Sequence, residues 1–351
     1  MKIKYVVSLL VLIVGQAWTA PASAWGERGH DVVTRVAVQH LRELSDDNAQ
    51  LMRPFLLRDH MLAHLSNVPD IVWRADYMDE DAKKANSPTH YINLEKVISG
   101  VARWDDLPRD FREYRALCKS HDKSTADVGT VPWRVLQLYK LIVNELINLD
   151  AKPDELKVRH INQALMYAGL MAHFVGDLAN PHHTSANYDG QLTGNKGLHS
   201  YFESVVVAEL SLKLPEKVYK KAGSRRRWLS QYSKKEQREI LADPQKLVWA
   251  LLANSHAQVS KLTALDDRYA IVTKSNISPE NRDSAIRKPA KDVASKFEKF
   301  AVKRLAIGAD VLANLWLLAW QDAGSPNMSS YSSYNYPVQP PFITPVYISE
   351  D

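Results

Sequence analysis

The stretch from Ile161 to Leu178 constrains the fold most. Leu165, Ala168, Met171, Ala172 and Val175 recur in it at helical spacing, and Pro181 stops the run. A helix this apolar must be covered on most of its circumference, which calls for other helices around it. Val32, Val33, Val36, Ala37 and Leu41 supply one, ending at the polar break Ser45-Asp46-Asp47. The pattern predicts more over Val131 to Leu149, Leu198 to Leu214 (ending at Pro215), Leu247 to Leu265 and Val293 to Trp320. Alternating runs bounded by tight turns are sparse. The expectation is an all-α fold: a single mainly helical domain over 25–324 with helices around a shared core. A tail over 325–351, rich in Ser, Tyr and Pro, is expected to lie on the surface as extended or partly disordered chain. No internal repeat at a fixed period is seen.

Hydrophobic residues make up 45% of the 351 residues and charged residues 24%, so a sizeable core is affordable and a disordered or collagen-like chain is excluded. Cys118 is the one cysteine. A disulfide within the chain and a Cys-rich zinc finger are therefore excluded, and a metal would have to be held by His, Asp and Glu. The start of the chain reads as a secretory leader: Lys2 and Lys4, an apolar run from Tyr5 to Gly15, then Ala22-Ser23-Ala24 before Trp25. An uncleaved anchor helix is the competing reading. Cleavage between Ala24 and Trp25 would make the protein periplasmic or secreted. The net charge of +5 is compatible with anionic substrates without requiring them.

The chemistry concentrates in His173-Phe-Val-Gly-Asp177-Leu-Ala-Asn-Pro181-His-His183. His173 and Asp177 are four apart and share a face of an otherwise apolar helix. Buried there, both are costly unless something satisfies them, and a metal ion does so. Pro181 turns the chain, so that His182 or His183 can fold back. His199 and Glu203 repeat the four-residue spacing further on. Two such pairs suit a multinuclear site between helices. Asp76, in Trp73-Arg-Ala-Asp76-Tyr77, and His90, in Pro88-Thr-His90-Tyr-Ile-Asn93, offer one more carboxylate and imidazole. In Trp25-Gly-Glu-Arg-Gly-His30, a freed Trp25 can chelate a metal through its α-amino group and carbonyl oxygen, with His30 one helical turn on. His60 and His64 are also four apart, but read as a half-buried helix face. His40, His121, His160 and His256 have no partner pattern.

Together these residues resemble the trinuclear zinc hydrolases: bacterial zinc-dependent phospholipases C and the related single-strand-specific zinc nucleases. The resemblance runs from about Trp25 to Trp320 and implies a helical domain holding three zinc ions in a cleft. It assigns the first zinc to Asp76, His90, His173 and Asp177. The second goes to His183, His199 and Glu203, with His183 favoured over His182. The third goes to Trp25, His30 and the bridging Asp177. It also implies attack of a zinc-activated water on a phosphodiester, with Asp76 orienting that water.

The two branches leave mixed marks. Glu203, the short connection from His183 to His199, Thr184-Ser-Ala-Asn187-Tyr188 and Ala75-Asp76-Tyr77 resemble the phospholipases. Trp25-Gly-x-x-Gly-His30 and His90-Tyr-Ile-Asn93 resemble the nucleases, in which Tyr91 would stack on a base and Asn93 bond its edge. Tyr77 matches an aromatic position of the choline-binding lipases, but Ser87 stands where they carry Phe, and Glu27 is one residue from their acidic position. The resemblance implies a phospholipase C acting as a monomer on phospholipid, at a membrane surface. Nucleic acid is the substrate in the alternative reading. A secreted protein whose metals are only structural is a third class. A Lys/Arg-rich segment from Lys213 to Arg238, centred on Arg225-Arg226-Arg227-Trp228, reads as solvated surface or as a patch for anionic lipid or phosphate.

Overall fold

The structure is a computed structural model, and it describes residues 25–99, 107–222, 226–278, 282–332 and 335–348. The leader (1–24) and Arg225 lie outside them. Among the described residues no helix is long and apolar enough to cross a membrane.

The core is built on α4 (Asp154–Ala179), which carries the His173/Asp177 pair. Pro153 precedes it, Asp154 and Glu155 sit in its first turn, where they complement the helix dipole, and Asn180 and Pro181 end it. Beyond Leu165 nearly every side chain of α4 is buried. α3 (Val131–Leu146) packs along one side of it and α2 (Asp59–Leu65) along another. α1 (Gly26–Ser45) lies against the long α8 (Ala290–Asp322), and both touch α4. α6 (Pro244–His256), buried from Leu247 to His256, packs against α3, α4 and α8, and α5 (Leu214–Ala222) and α7 (Val259–Tyr269) lie further out. The described strands are two short segments, Ile271–Thr273 and Ile286–Arg287, paired antiparallel. The fold is the mainly helical domain expected.

Aromatic packing fixes the N-terminal end of α1. Trp25 is fully buried, its ring 5.5 Å from Phe202, which in turn lies 5.8 Å from Phe300. Each such side chain contributes roughly 1.5–3 kcal/mol by leaving water.

Two predicted helices are divided differently. Leu198 to Leu214 does not run through: a short α-turn (Leu198–Ser200) passes into a π-helical segment (Tyr201–Val206), and the next helix, α5, begins at Leu214. The guanidinium of Arg28 donates to the carbonyls of Val207, Ala208, Leu210 and Ser211, satisfying carbonyls that a continuing helix would use. Pro215 then opens α5, where a missing N–H costs nothing. Leu247 to Leu265 is likewise two helices, broken at Ala257 and Gln258. The tail follows the surface as extended chain. Trp73 Nε1 donates to Pro340 O (3.3 Å), Phe342 packs edge-on to Trp73, and Arg134 donates to Ile343 O (2.6 Å).

Candidate metal centre

Three segments converge on one buried cluster. α4 presents His173 and Asp177 on one face, with Nε2 of His173 3.2 Å from Asp177 Oδ2. The short helical turn Ser87–His90 brings His90, whose Nδ1 is 3.0 Å from the same oxygen and 3.0 Å from His173 Nε2. α1 brings His30, with Nε2 3.5 Å from Asp177 Oδ1. His30 fits because residue 176 is glycine: a Cβ there would meet His30 Nδ1 at 2.7 Å. The carbonyl of Gly176 also accepts the indole N–H of Trp25 at 2.6 Å. Trp25 and Gly26 both have positive φ (45° and 52°), which bends the chain so that the Trp25 nitrogen points inward.

The second cluster sits beside the first. After Pro181 the chain turns back, and His183 Nε2 comes within 3.0 Å of His199 Nε2 and 3.5 Å of Glu203 Oε2. His199 Nε2 is 2.9 Å from Glu203 Oε2. Asp189 holds the start of the His199 helix by accepting from the N–H groups of Gly197 and His199. The backbone N of Trp25 donates to Glu203 Oε2 at 3.0 Å, joining the two clusters.

The ring orientations are fixed from outside. His173 Nδ1 meets Ser66 O at 2.7 Å and His183 Nδ1 meets His90 O at 2.6 Å. A neutral imidazole donating from Nδ1 turns an Nε2 lone pair toward the cluster, the form a metal requires. The same two Nε2 atoms then face other ring nitrogens at 3.0 Å, an arrangement that a cation between them relieves. Both ring nitrogens of His30, Nε2 of His90, Oδ1 of Asp177 and Oε1 of Glu203 are buried without a hydrogen-bond partner. Buried polar atoms left without partners around this cluster fit a divalent metal. In each of three sets the candidate ligand atoms lie within 4.8 Å of one another: His90, His173 and Asp177; His183, His199 and Glu203; and His30, Asp70 and His173.

The electrostatics agree. Burial lowers the pKa values of His30, His90 and, to about 4, His173, which favours the neutral rings. Burial pushes Asp177 well above the usual carboxylate range. A bound cation would reverse that last effect and favour the carboxylate. Burial alone would raise Glu203 too, but the charges and hydrogen bonds of His199 and His183 outweigh it and hold the group well below its ordinary value. His199 is raised: the charge and hydrogen bond of Glu203 overcome the lowering by burial.

The expected metal-binding residues are thus together with the exception of Asp76. Asp76 is exposed on the turn after Trp73 and is not among the clustered groups, its backbone carbonyl accepting from Lys83 Nζ at 3.5 Å. Asp70 takes its place, with Oδ1 3.6 Å from His90 Nδ1 and 3.8 Å from His173 Nε2. The reason is local. Val68-Pro69-Asp70-Ile71 forms a helical turn whose Asp faces inward, and the next residues carry the chain out to solvent. Arg74 completes that turn by pairing with Asp70 at 3.1 Å. Tyr77 is carried outward with Asp76; it is 68% exposed and does not line the cleft. Tyr91 and Asn93 do line it, with Arg74, Lys96, Tyr188 and His199, around a cavity of about 410 Å³.

Other supporting residues were not legible beforehand. Asn180 Nδ2 donates to Glu203 Oε2 at 2.7 Å. His256, which has no pattern in sequence, bonds Thr184 O at 2.7 Å and so buttresses the turn carrying His183. His182 is buried in the same cleft wall, with burial lowering its pKa.

No curated protein matches the chain. The S1/P1 nuclease family model matches residues 25–287, from the inward-facing Trp25 past the last of these ligand groups. That match covers well over half of the chain, and the chain belongs to the S1/P1 nuclease family, a zinc-dependent phosphodiesterase family.

Proposed function

We propose that the protein is a phospholipase C, cutting the glycerol-side phosphodiester bond of phospholipids to diacylglycerol and a phosphorylated headgroup. The mouth of the cleft supports this most. The loop joining His183 to His199 leaves Tyr188 49% and Leu192 58% exposed, and Tyr188 lines the cavity. Large apolar side chains held in water beside a polar cluster suit a substrate presented at a lipid surface. Glu203, which resembles the phospholipase branch, agrees. Export of the chain past a cleaved leader is part of the same reading.

Three zinc ions are proposed, held by Trp25, His30, Asp70, His90, His173, Asp177, His183, His199 and Glu203. Bound zinc supplies Lewis-acid neutralisation of phosphate charge and lowers the pKa of water. The chain's own groups do the rest. Arg74 and Lys96 face the cleft and draw in the anionic phosphodiester. Tyr91 and Tyr188 offer ring faces to the headgroup. Asp70, in the role expected of Asp76, is the carboxylate that orients the attacking water.

One observation favours the nuclease alternative. Oδ1 of Asn93 is buried without a hydrogen-bond partner, and Asn93 lines the cavity with Tyr91. That pair can stack on a base and bond its edge. Assay of the zinc-loaded protein on phosphatidylcholine, phosphatidylglycerol and single-stranded DNA side by side tests the reading. Diacylglycerol release is expected. Oligonucleotide cleavage without diacylglycerol would replace the lipase by the nuclease.

A further inference from the structure

A second cavity, of about 290 Å³, lies between α5, α7 and α8 and shares no lining residue with the cleft. Five cations line it: Lys221, Arg227, Lys261, Lys299 and Lys303. Lys299 and Lys303 are four apart on α8, so their ammonium groups share a face and repel. A sixth cation, Arg226, is bound to Asp310 at 3.3 Å and to Asn314 at 2.9 Å. Asp310 is the single carboxylate among the described lining residues. It is buried and fully engaged, with Oδ1 also 3.0 Å from His40 Nε2 and Oδ2 accepting from Trp228 Nε1 at 2.9 Å. Nearby Glu298 is taken by Lys217 at 2.7 Å. The floor between the cations is apolar, formed by Trp228 and Ile307. Burial and the charges of Arg304, Lys261 and Lys221 hold the Lys303 ammonium below the ordinary lysine range, the mark of a site short of negative charge.

We propose that this cavity is an anion site for a phosphate group, separate from the metal cleft. Lysine and arginine side chains around an apolar floor suit a phosphate ester whose oxygens meet the cations while its carbon skeleton rests on Trp228 and Ile307. The ester is presented either by an anionic lipid headgroup or as a free anion. Occupancy does not depend on which phosphodiester the cleft cuts.

The test compares the zinc-loaded full chain with the Lys299→Gln/Lys303→Gln double variant in two arms. One is co-sedimentation with phosphatidylglycerol vesicles against phosphatidylcholine vesicles; the other is equilibrium dialysis with inorganic phosphate. Phosphate held by the cleft is common to both proteins, so their difference reads the second cavity alone. Loss of roughly tenfold or more in affinity for phosphatidylglycerol vesicles assigns the phosphate to a lipid headgroup. The same loss for inorganic phosphate assigns it to a free anion. Hydrolysis of a soluble phosphodiester should be unchanged, which separates this site from the cleft and reports a folded variant. Arg227→Glu, on the turn before Trp228, repeats the test without altering α8. Variants that bind both probes as well as the wild type would overturn the proposal.

Discussion

The backbone nitrogen of Trp25 donates to Oε2 of Glu203 at 3.0 Å, although the two are 178 residues apart. That contact places the nitrogen beside the second cluster, where a free amine can act as a metal ligand and a neutral peptide nitrogen cannot. A chain beginning at Trp25 should therefore hold one more zinc than the same chain with Gly-Ser added in front. Metal content after dialysis, measured by mass spectrometry, checks this. Equal content in the two proteins would remove the amine from the ligand set.

The inward turn of Asp70 separates it from Asp76 in a way that mutagenesis reads directly. Asp70→Asn removes a carboxylate 3.6 Å from His90 Nδ1. Losing even an outer partner of a metal ligand costs about 10- to 100-fold in affinity, so loss of the ligand itself should exceed that. Asp76→Asn, on an exposed turn, should keep normal zinc affinity and turnover. The reverse pattern would restore Asp76 to the site.

These two aspartates also show where sequence reading succeeds and fails. Helical spacing identifies His173 with Asp177 and His199 with Glu203, because four residues on a helix always share a face. Proline marks the turn that returns His183. Between Trp73 and His90, however, no periodic element carries the ligand. Both Asp70 and Asp76 lie near a tryptophan, and only the packing of one helical turn decides which faces inward. Asn180 and His256 act through contacts made only on folding, with no spacing to betray them. The break after Ala208 is held by Arg28, a residue far away in sequence, and local propensity does not contain it.

The tail stabilises the wall behind the first cluster. Arg134 is fully buried, its guanidinium 5.2 Å from the Phe174 ring, and Phe174 lies against His90 and His173. Ile343 O is an acceptor for that guanidinium, and Phe342 covers Trp73. Phe342→Ala should cost about 2 kcal/mol in chemical unfolding, about half of a fully buried Phe→Ala change because Phe342 is only half-buried. A chain ending at residue 337 should lose more than that and bind zinc less tightly. Unfolding as stable as wild type would make the tail a passenger.

A pH effect is expected away from the metals, at His40 and Asp310, which meet at 3.0 Å. Burial opposes charge on His40, but its hydrogen bond and charge interaction with Asp310 prevail and raise its pKa. Burial would raise Asp310, yet the His40 bond and the Arg226 charge hold it low. The two signs differ. A raised histidine adds stability that is complete below its unfolded value near 6.5 and is lost as pH climbs through the folded value. A lowered aspartate adds stability present above about 3.9 and lost as pH falls through its folded value. The pair therefore contributes most between about pH 4 and 6.5. His40→Gln should be less stable than wild type at pH 6, and the gap should narrow by pH 8.5 as the wild-type histidine loses its proton. Thermal unfolding of both proteins at the two pH values checks this, and a gap that stays constant would mean that His40 acts through packing alone.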